Sequence, residues 1–492
     1  MFDLDKKYDR SEFLHFLQSD FLPEDFQPKT HDVTLDFKSQ YAKEIVCLGK
    51  CESMGLEVFE IKHDSLNDPR VGMSKDAFKL LLHTSFCNKA LIVFVPRNDV
   101  KYRFSLIQIE AHQEDKSSRI KRSYSNPRRY SYVLGEGAHT RTPKEFLLKK
   151  GRLCNADPFN DLLERFSVEV LTKEFYNELS NWYFWALKNV RFPDDVIKNE
   201  EERNSSMTIR LITRLLFVWF IKQKKLVPDQ IFNEGNLDKW LKKIDSTGST
   251  YYKAILQNLF FATLNVPIQE RGKFVERQHG VNSFFRYERY FTKEGKETFP
   301  ELMKSIPFLN GGLFDNLDKN TEDTNKNNHL RLDCFSNRLD NESRLSVPDY
   351  LFFSDNQTVD LYEEYNNDPS KRNTKVRGII RILNDYNFTI EENTPLDVEV
   401  ALDPELLGRV FENLLASFNP ETKETARKET GSFYTPREIV NYMVNESLVA
   451  YLKQETGASE DNLRKILDYN NDDITLENDI RSKIITSVFN CK

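Results

Sequence analysis

Between residues 41 and 111 apolar and polar positions alternate with a period of two. Glu44-Ile45-Val46-Cys47-Leu48 and Leu56-Glu57-Val58-Phe59-Glu60-Ile61-Lys62 flank a turn at Ser53-Met54-Gly55, which predicts a hairpin. Ala77, Phe78, Leu81 and Leu82 then share one face of a helix starting near Ser74, and the apolar runs at 90–95 and 104–109 predict two more strands. From about 155 to 310 the period becomes helical, over 175–187, 209–221 and 255–264, with many aromatic residues on the inward faces. Residues 315–346, rich in Asn, Asp and Lys, predict an exposed loop or insertion. A second helical segment runs with breaks from Leu361 to Leu452, and the last forty residues are charged and poor in aromatics. The pattern predicts an α+β protein: a small N-terminal α/β domain followed by a mainly helical connector. The expected units are 1–152, 153–314, the loop 315–346, a helical connector 347–455 and a charged tail 456–492.

Composition narrows the class. At roughly 150 residues per domain, 492 residues make about three units. The longest apolar run, Leu215-Leu216-Phe217-Val218-Trp219-Phe220-Ile221, is far short of the ~20 residues that cross a bilayer. The start of the chain is charged almost at once, so a secretory leader is not expected and a cytoplasmic location is. Six cysteines, at 47, 51, 87, 154, 334 and 491, lack the second pair a zinc site needs and are expected to be reduced.

The net charge of −7 hides an asymmetry. Residues 111–152 carry eleven cations against four acids, +7, which leaves the rest near −14. Arg119, Lys121, Arg122, Arg128 and Arg129 lie in this strip with Tyr124, Tyr130 and Tyr132 interleaved, a pattern suited to DNA phosphates with a ring packed on sugar or base. A solvated charged loop is the alternative.

Alternation puts Val58, Glu60 and Lys62 on one strand face. The Glu60-Ile61-Lys62 triplet after a hairpin resembles the PD-(D/E)XK nucleases, in which such a carboxylate holds Mg²⁺ and such a lysine lies near the attacking water. By that resemblance Glu60 is the candidate Mg²⁺ ligand, and Glu60 and Lys62 are the candidate catalytic pair. The pattern also asks for an aspartate on the preceding strand. That strand offers only Glu44 and Glu52, with Asp32 and Asp36 further back. An active nuclease, an inactivated relative and an unrelated α/β domain all remain open.

Thr435, Pro436 and Glu438 form a capping box with proline at the first helical position, and Ile439, Val440, Met443, Val444, Leu448 and Leu452 follow at helical spacing. A helix should start here, its N-terminus suited to a carboxylate. The segment Arg427-Lys428-Glu429-Thr430-Gly431-Ser432-Phe433-Tyr434-Thr435-Pro436 resembles the cofactor-side motif of N6-adenine DNA methyltransferases of the restriction–modification class. Ile306-Pro307-Phe308-Leu309-Asn310-Gly311-Gly312-Leu313-Phe314, then Val347-Pro348-Asp349, then residues 401–412, resemble in order the connector of type IIG restriction–modification enzymes and of related phage-defence methylases. Gly311-Gly312 is expected to turn the backbone so that Phe308 and Leu313 tuck inward. The resemblance implies S-adenosylmethionine as cofactor, with Phe433, Tyr434, Thr435 and Pro436 against its methionine end, and DNA as substrate. It covers roughly residues 150–455.

Two motifs of that family are absent from these 492 residues: the glycine-rich cofactor loop and the Asn/Asp-Pro-Pro-Tyr/Phe tetrapeptide that holds a flipped adenine. The resemblance therefore implies a methylase completed by a separate chain carrying the methylase core and target-recognition part, or else a truncated product. A non-catalytic module that binds DNA or a partner is the alternative.

Overall fold

The computed structural model describes residues 2–34, 42–64, 77, 80–81, 88–108, 111–113, 122–124, 128–154, 156–244, 247–275, 282–309, 312–320, 329–339, 341–389, 398–402, 408, 437–467 and 478–490. Helix α1 (Arg10–Phe16) starts at Asp9, whose carboxylate accepts the Glu12 N–H, and buries Phe13 and Phe16. Strands β1 (Phe26–Asp32), β2 (Ala42–Cys51), β3 (Leu56–His63), β4 (Lys89–Pro96) and β5 (Lys101–Gln108) follow. After a short ribbon of β6 (Ala111–Gln113) and β7 (Arg122–Tyr124) comes β8 (Arg128–Gly135). The sheet order is β1-β2-β3-β4-β5-β8, with Val398–Glu399 added parallel to β8 at the far edge.

The predicted hairpin is β2–β3, closed where Gly55, in the left-handed region, donates its N–H to the Glu52 carbonyl. β4 runs parallel to β3, so the chain must cross a sheet face between them. Ala77, Leu80 and Leu81, from the predicted helix, are buried against Phe59, Ile61 and Ile92 on that face. The opposite face carries Leu56, Val58 and Leu91 and packs under α1 and the helical region.

The helical part begins with α2 (Pro158–Arg165), capped by Asp157, then α3 (Val168–Leu187), capped by Ser167, and α4 (Glu200–Gln223), capped by Asn199. The last two start well before their apolar stripes because polar caps and acidic first turns extend them. Residues 251–264 form irregular helical turns buried on every side. Tyr132, Leu134, Phe146, Leu153, Leu162 and Phe166 belong to one continuous core, so packing crosses the boundary expected at 152.

Two expectations are corrected. Within 315–346, Arg331, Leu332, Asp333, Cys334, Phe335 and Ser336 form a loop that is buried rather than exposed. Asp318 organises them: its carboxylate accepts the N–H groups of Leu332, Asp333, Cys334 and Phe335, and Arg214 pairs with buried Asp333 at 3.2 Å. The polar residues face inward because they satisfy backbone groups that water would otherwise have to reach. Phe308 does not tuck in but stays exposed, while Leu313 packs partly against the core. Among the described residues the charged tail carries two helices. After α5 (Arg437–Thr456), α6 (Glu460–Leu467) and α7 (Asn478–Asn490) close a small core of Val449, Leu452, Ala458, Leu463 and Ile484. Only the C-terminal half of α5 packs there; Ile439, Val440, Met443 and Val444 are exposed.

Candidate functional site

Glu60 lies in the middle of β3, on the face that carries Leu56 and Val58. Its side chain is 0% exposed, because α1 lies over it. A buried carboxylate persists only when its charge is answered. Here Arg10, the first residue of α1, places Nη2 at 2.6 Å from Oε1 and Nε at 2.8 Å from Oε2, and the Tyr8 hydroxyl donates to Oε2 at 2.7 Å. The Tyr8 ring is wedged between Phe13 and Tyr102, each centroid 5.4 Å away.

Glu44 is opposite Lys62 in the β2–β3 register, and the two pair at 3.1 Å. The same Arg10 Nη2 reaches Glu44 at 2.7 Å, and Lys62 Nζ lies 3.5 Å from Glu60. Two carboxylates and two cations therefore form one neutral cluster, closed below by Glu60 and open to solvent at Arg10, Glu44 and Lys62, each about one third exposed. Burial pushes the Glu60 carboxyl up, but the bonds from Arg10 and Tyr8 outweigh it and hold the group below the ordinary carboxylate range. Glu44 is lowered likewise, desolvation being overcome by Arg10 and Lys62.

Of the carboxylates considered for the second acidic position, Glu44 shares the cluster. Glu52 pairs with Lys50 at the hairpin turn, and Asp32 accepts the Thr34 N–H. Asp36 is outside the described residues. As arranged, the cluster does not fit a bound Mg²⁺: both Glu60 oxygens are taken by Arg10 and Tyr8, and Glu44 is held by Arg10 and Lys62. Among the described residues no group of three or more His, Cys, Asp or Glu side chains is placed to hold a metal. Tyr8 and Arg10 lie about fifty positions from Glu60, and no local pattern points to them.

The basic strip is only partly a surface. Arg119 and Lys121 lie outside the described residues, and for Arg122 on β7 and Arg128 on β8 only the backbone is described. Arg129 is 1% exposed, bonded to Ser105 Oγ and packed over the Phe94 ring 4.2 Å away, so it is a core side chain and not a surface cation. Tyr132 is buried too, its hydroxyl on the Arg165 carbonyl. Arg141 pairs with Asp385, Lys144 with Asp5 and Lys149 with Glu145, while Arg152 caps the carbonyls of Gln18, Ser19 and Leu22. Among the described side chains of the strip, Arg129 and Arg152 are held by the fold and Arg141, Lys144 and Lys149 are ion-paired.

Phe433, Tyr434, Thr435 and Pro436 lie outside the described residues, and helix α5 is described from Arg437, directly after them. No described helix is long and apolar enough to cross a membrane.

Comparison with known proteins gives a distant, partial relation. Over 240 residues, 49% of this chain, the sequence is 26% identical to a protein of Methanocaldococcus jannaschii named as a putative type II restriction enzyme and methyltransferase. The matched segment spans 14% of that protein's length. No family model matches the chain, and no solved structure matches it. The chain is thus distantly related to a restriction–modification enzyme.

Proposed function

We propose that this chain is the DNA-handling N-terminal part of a restriction–modification system, pairing a nuclease-type sheet domain with the cofactor edge of an adenine-specific methylase. The observation that carries the reading is the placement of Glu60 and Lys62 on one face of β3, with Glu44 beside them on the preceding strand and β4 parallel beyond. The partial relation to a named restriction enzyme and methyltransferase supports it. In this reading DNA is the substrate, and Lys62, at the solvent edge of the cluster, is the donor that meets a backbone phosphate. The cluster as arranged has no open carboxylate oxygen for a metal.

For the methylase half, Phe433, Tyr434, Thr435 and Pro436 would hold the methionine end of S-adenosylmethionine, which supplies the methyl group for N6 of adenine. The glycine-rich loop and the Asn-Pro-Pro-Tyr box are lacking in these residues, so the methylase core would come from further polypeptide. The neutral, closed Glu60 cluster favours a second reading, in which the sheet domain binds DNA without cutting it.

Incubating duplex DNA with Mg²⁺ or Mn²⁺ and the wild-type, Lys62→Ala or Glu60→Gln chain separates the two, with DNA binding measured in parallel. Cleavage lost in both variants while binding persists upholds the nuclease. Cleavage equal in all three, or absent throughout with binding intact, removes it.

A further inference from the structure

Four carboxylate oxygens meet in the Glu60 cluster, and each already carries a donor of this chain. Glu60 Oε1 takes Arg10 Nη2 at 2.6 Å, and its Oε2 takes Arg10 Nε at 2.8 Å and the Tyr8 hydroxyl at 2.7 Å. Glu44 Oε1 takes the same Arg10 Nη2 at 2.7 Å, and its Oε2 takes Lys62 at 3.1 Å. Two negative charges face two positive ones, so no net charge is left to attract a divalent ion. Among the described residues no third His, Cys, Asp or Glu completes a metal-ligating group here.

The guanidinium is built in. Arg10 is the first residue of α1, which Asp9 caps and which Phe13 and Phe16 anchor in the main core. Its Nε and Nη2 lie across both oxygens of Glu60, the fork that a guanidinium matches to a carboxylate and an ammonium does not. Glu60 is 0% exposed, so water cannot stand in for that fork, and a Glu60 without Arg10 would be a stranded charge.

We propose that Arg10 is the resident cation of this carboxylate pair: its guanidinium does the charge-balancing that a metal ion would otherwise do, pins α1 to the sheet, and makes the site independent of metal. The proposal rests on the second reading above, DNA binding without cutting, and adds which group fills the site.

The test follows thermal unfolding of the full 492-residue chain by circular dichroism, in EDTA and in millimolar MnCl₂. A bound ion raises the midpoint by mass action, so the wild-type midpoint is expected to be the same in both. Arg10→Gln is expected to lower it by several degrees, because Glu60 is left buried with Lys62, at 3.5 Å, as its cation. Adding Glu60→Gln to that variant is expected to recover part of the loss, since the stranded charge goes with it. A wild-type midpoint that Mn²⁺ raises, with the rise gone in Glu60→Gln, overturns the proposal. So does an Arg10→Gln midpoint equal to wild type, or a loss that Glu60→Gln deepens. If Arg10→Gln does not fold, Arg10→Lys takes its place: it keeps the charge without the fork and is expected to unfold below wild type, an equal midpoint again overturning the proposal.

Duplex DNA binding distinguishes this from the reading beneath it. Binding by the wild type in EDTA is expected, and binding that appears only with Mn²⁺ and is lost in Glu60→Gln overturns the resident cation. A chain that meets the unfolding test but binds no DNA in either buffer loses the DNA-handling reading and keeps the resident cation.

Discussion

Replacing Asp318 by alanine removes one acceptor that serves four backbone donors. Its Oδ1 accepts from the N–H groups of Leu332, Asp333 and Cys334 at 2.8, 3.0 and 3.1 Å, and its Oδ2 from Phe335 at 2.8 Å. The carboxylate is 3% exposed, so water replaces it poorly. Each buried donor left bare costs about 1–3 kcal/mol, and allowing for partial hydration and non-additivity the loss should total about 4–6 kcal/mol. That is comparable with the ~5–15 kcal/mol that holds an ordinary domain folded. Asp318→Asn grades the effect. Its remaining oxygen can keep the three Oδ1 bonds while its amide opposes the Phe335 N–H, at a cost of about 1–3 kcal/mol. Urea unfolding followed by the fluorescence of Trp182 and Trp219, both buried in the same core, measures both. An Asp318→Ala chain within about 1 kcal/mol of wild type would refute the reasoning.

Two further predictions use the same kind of argument. Because Glu60 is held below its unfolded value, its ion pairing should stabilise fully above the unfolded carboxylate pKa of ~4.3 and fade as pH falls through the lower folded value. The gap in melting temperature between wild type and Glu60→Gln should thus be flat near neutrality and shrink in acid; a gap unchanged down to pH ~3 refutes it. At Gly378 the backbone suits any residue, but a Cβ would lie 2.3 Å from the Phe352 carbonyl oxygen and 2.4 Å from the Phe353 nitrogen. Gly378→Ala should cost about 1–3 kcal/mol through overpacking, read as a lowered thermal midpoint, and an unchanged midpoint would show that the neighbouring turn yields freely.

Local chemistry alone determined a good deal of this protein. The alternating run at 56–62 and the short apolar runs at 44–48, 90–95 and 104–108 fall on strands of the sheet, because short apolar or alternating stretches bounded by turns suit a buried extended backbone. The helical stripes are equally local, and the shared face of Val58, Glu60 and Lys62 follows from alternation without any partner.

What the sequence left undecided depends on contacts between distant positions. Nothing near Arg128-Arg129 distinguishes a basic loop from the strand β8. Pairing with β5 along the whole strand makes it sheet and turns Arg129 inward to Ser105 and Phe94. The Asn- and Asp-rich run at 315–346 reads as solvated until Asp318 meets four N–H groups fourteen to seventeen positions away. Charge near Glu60 was visible, but only the fold brings Arg10 across fifty residues to close that carboxylate. A polar side chain is equally at home in water or on a buried partner, and only tertiary structure supplies the partner.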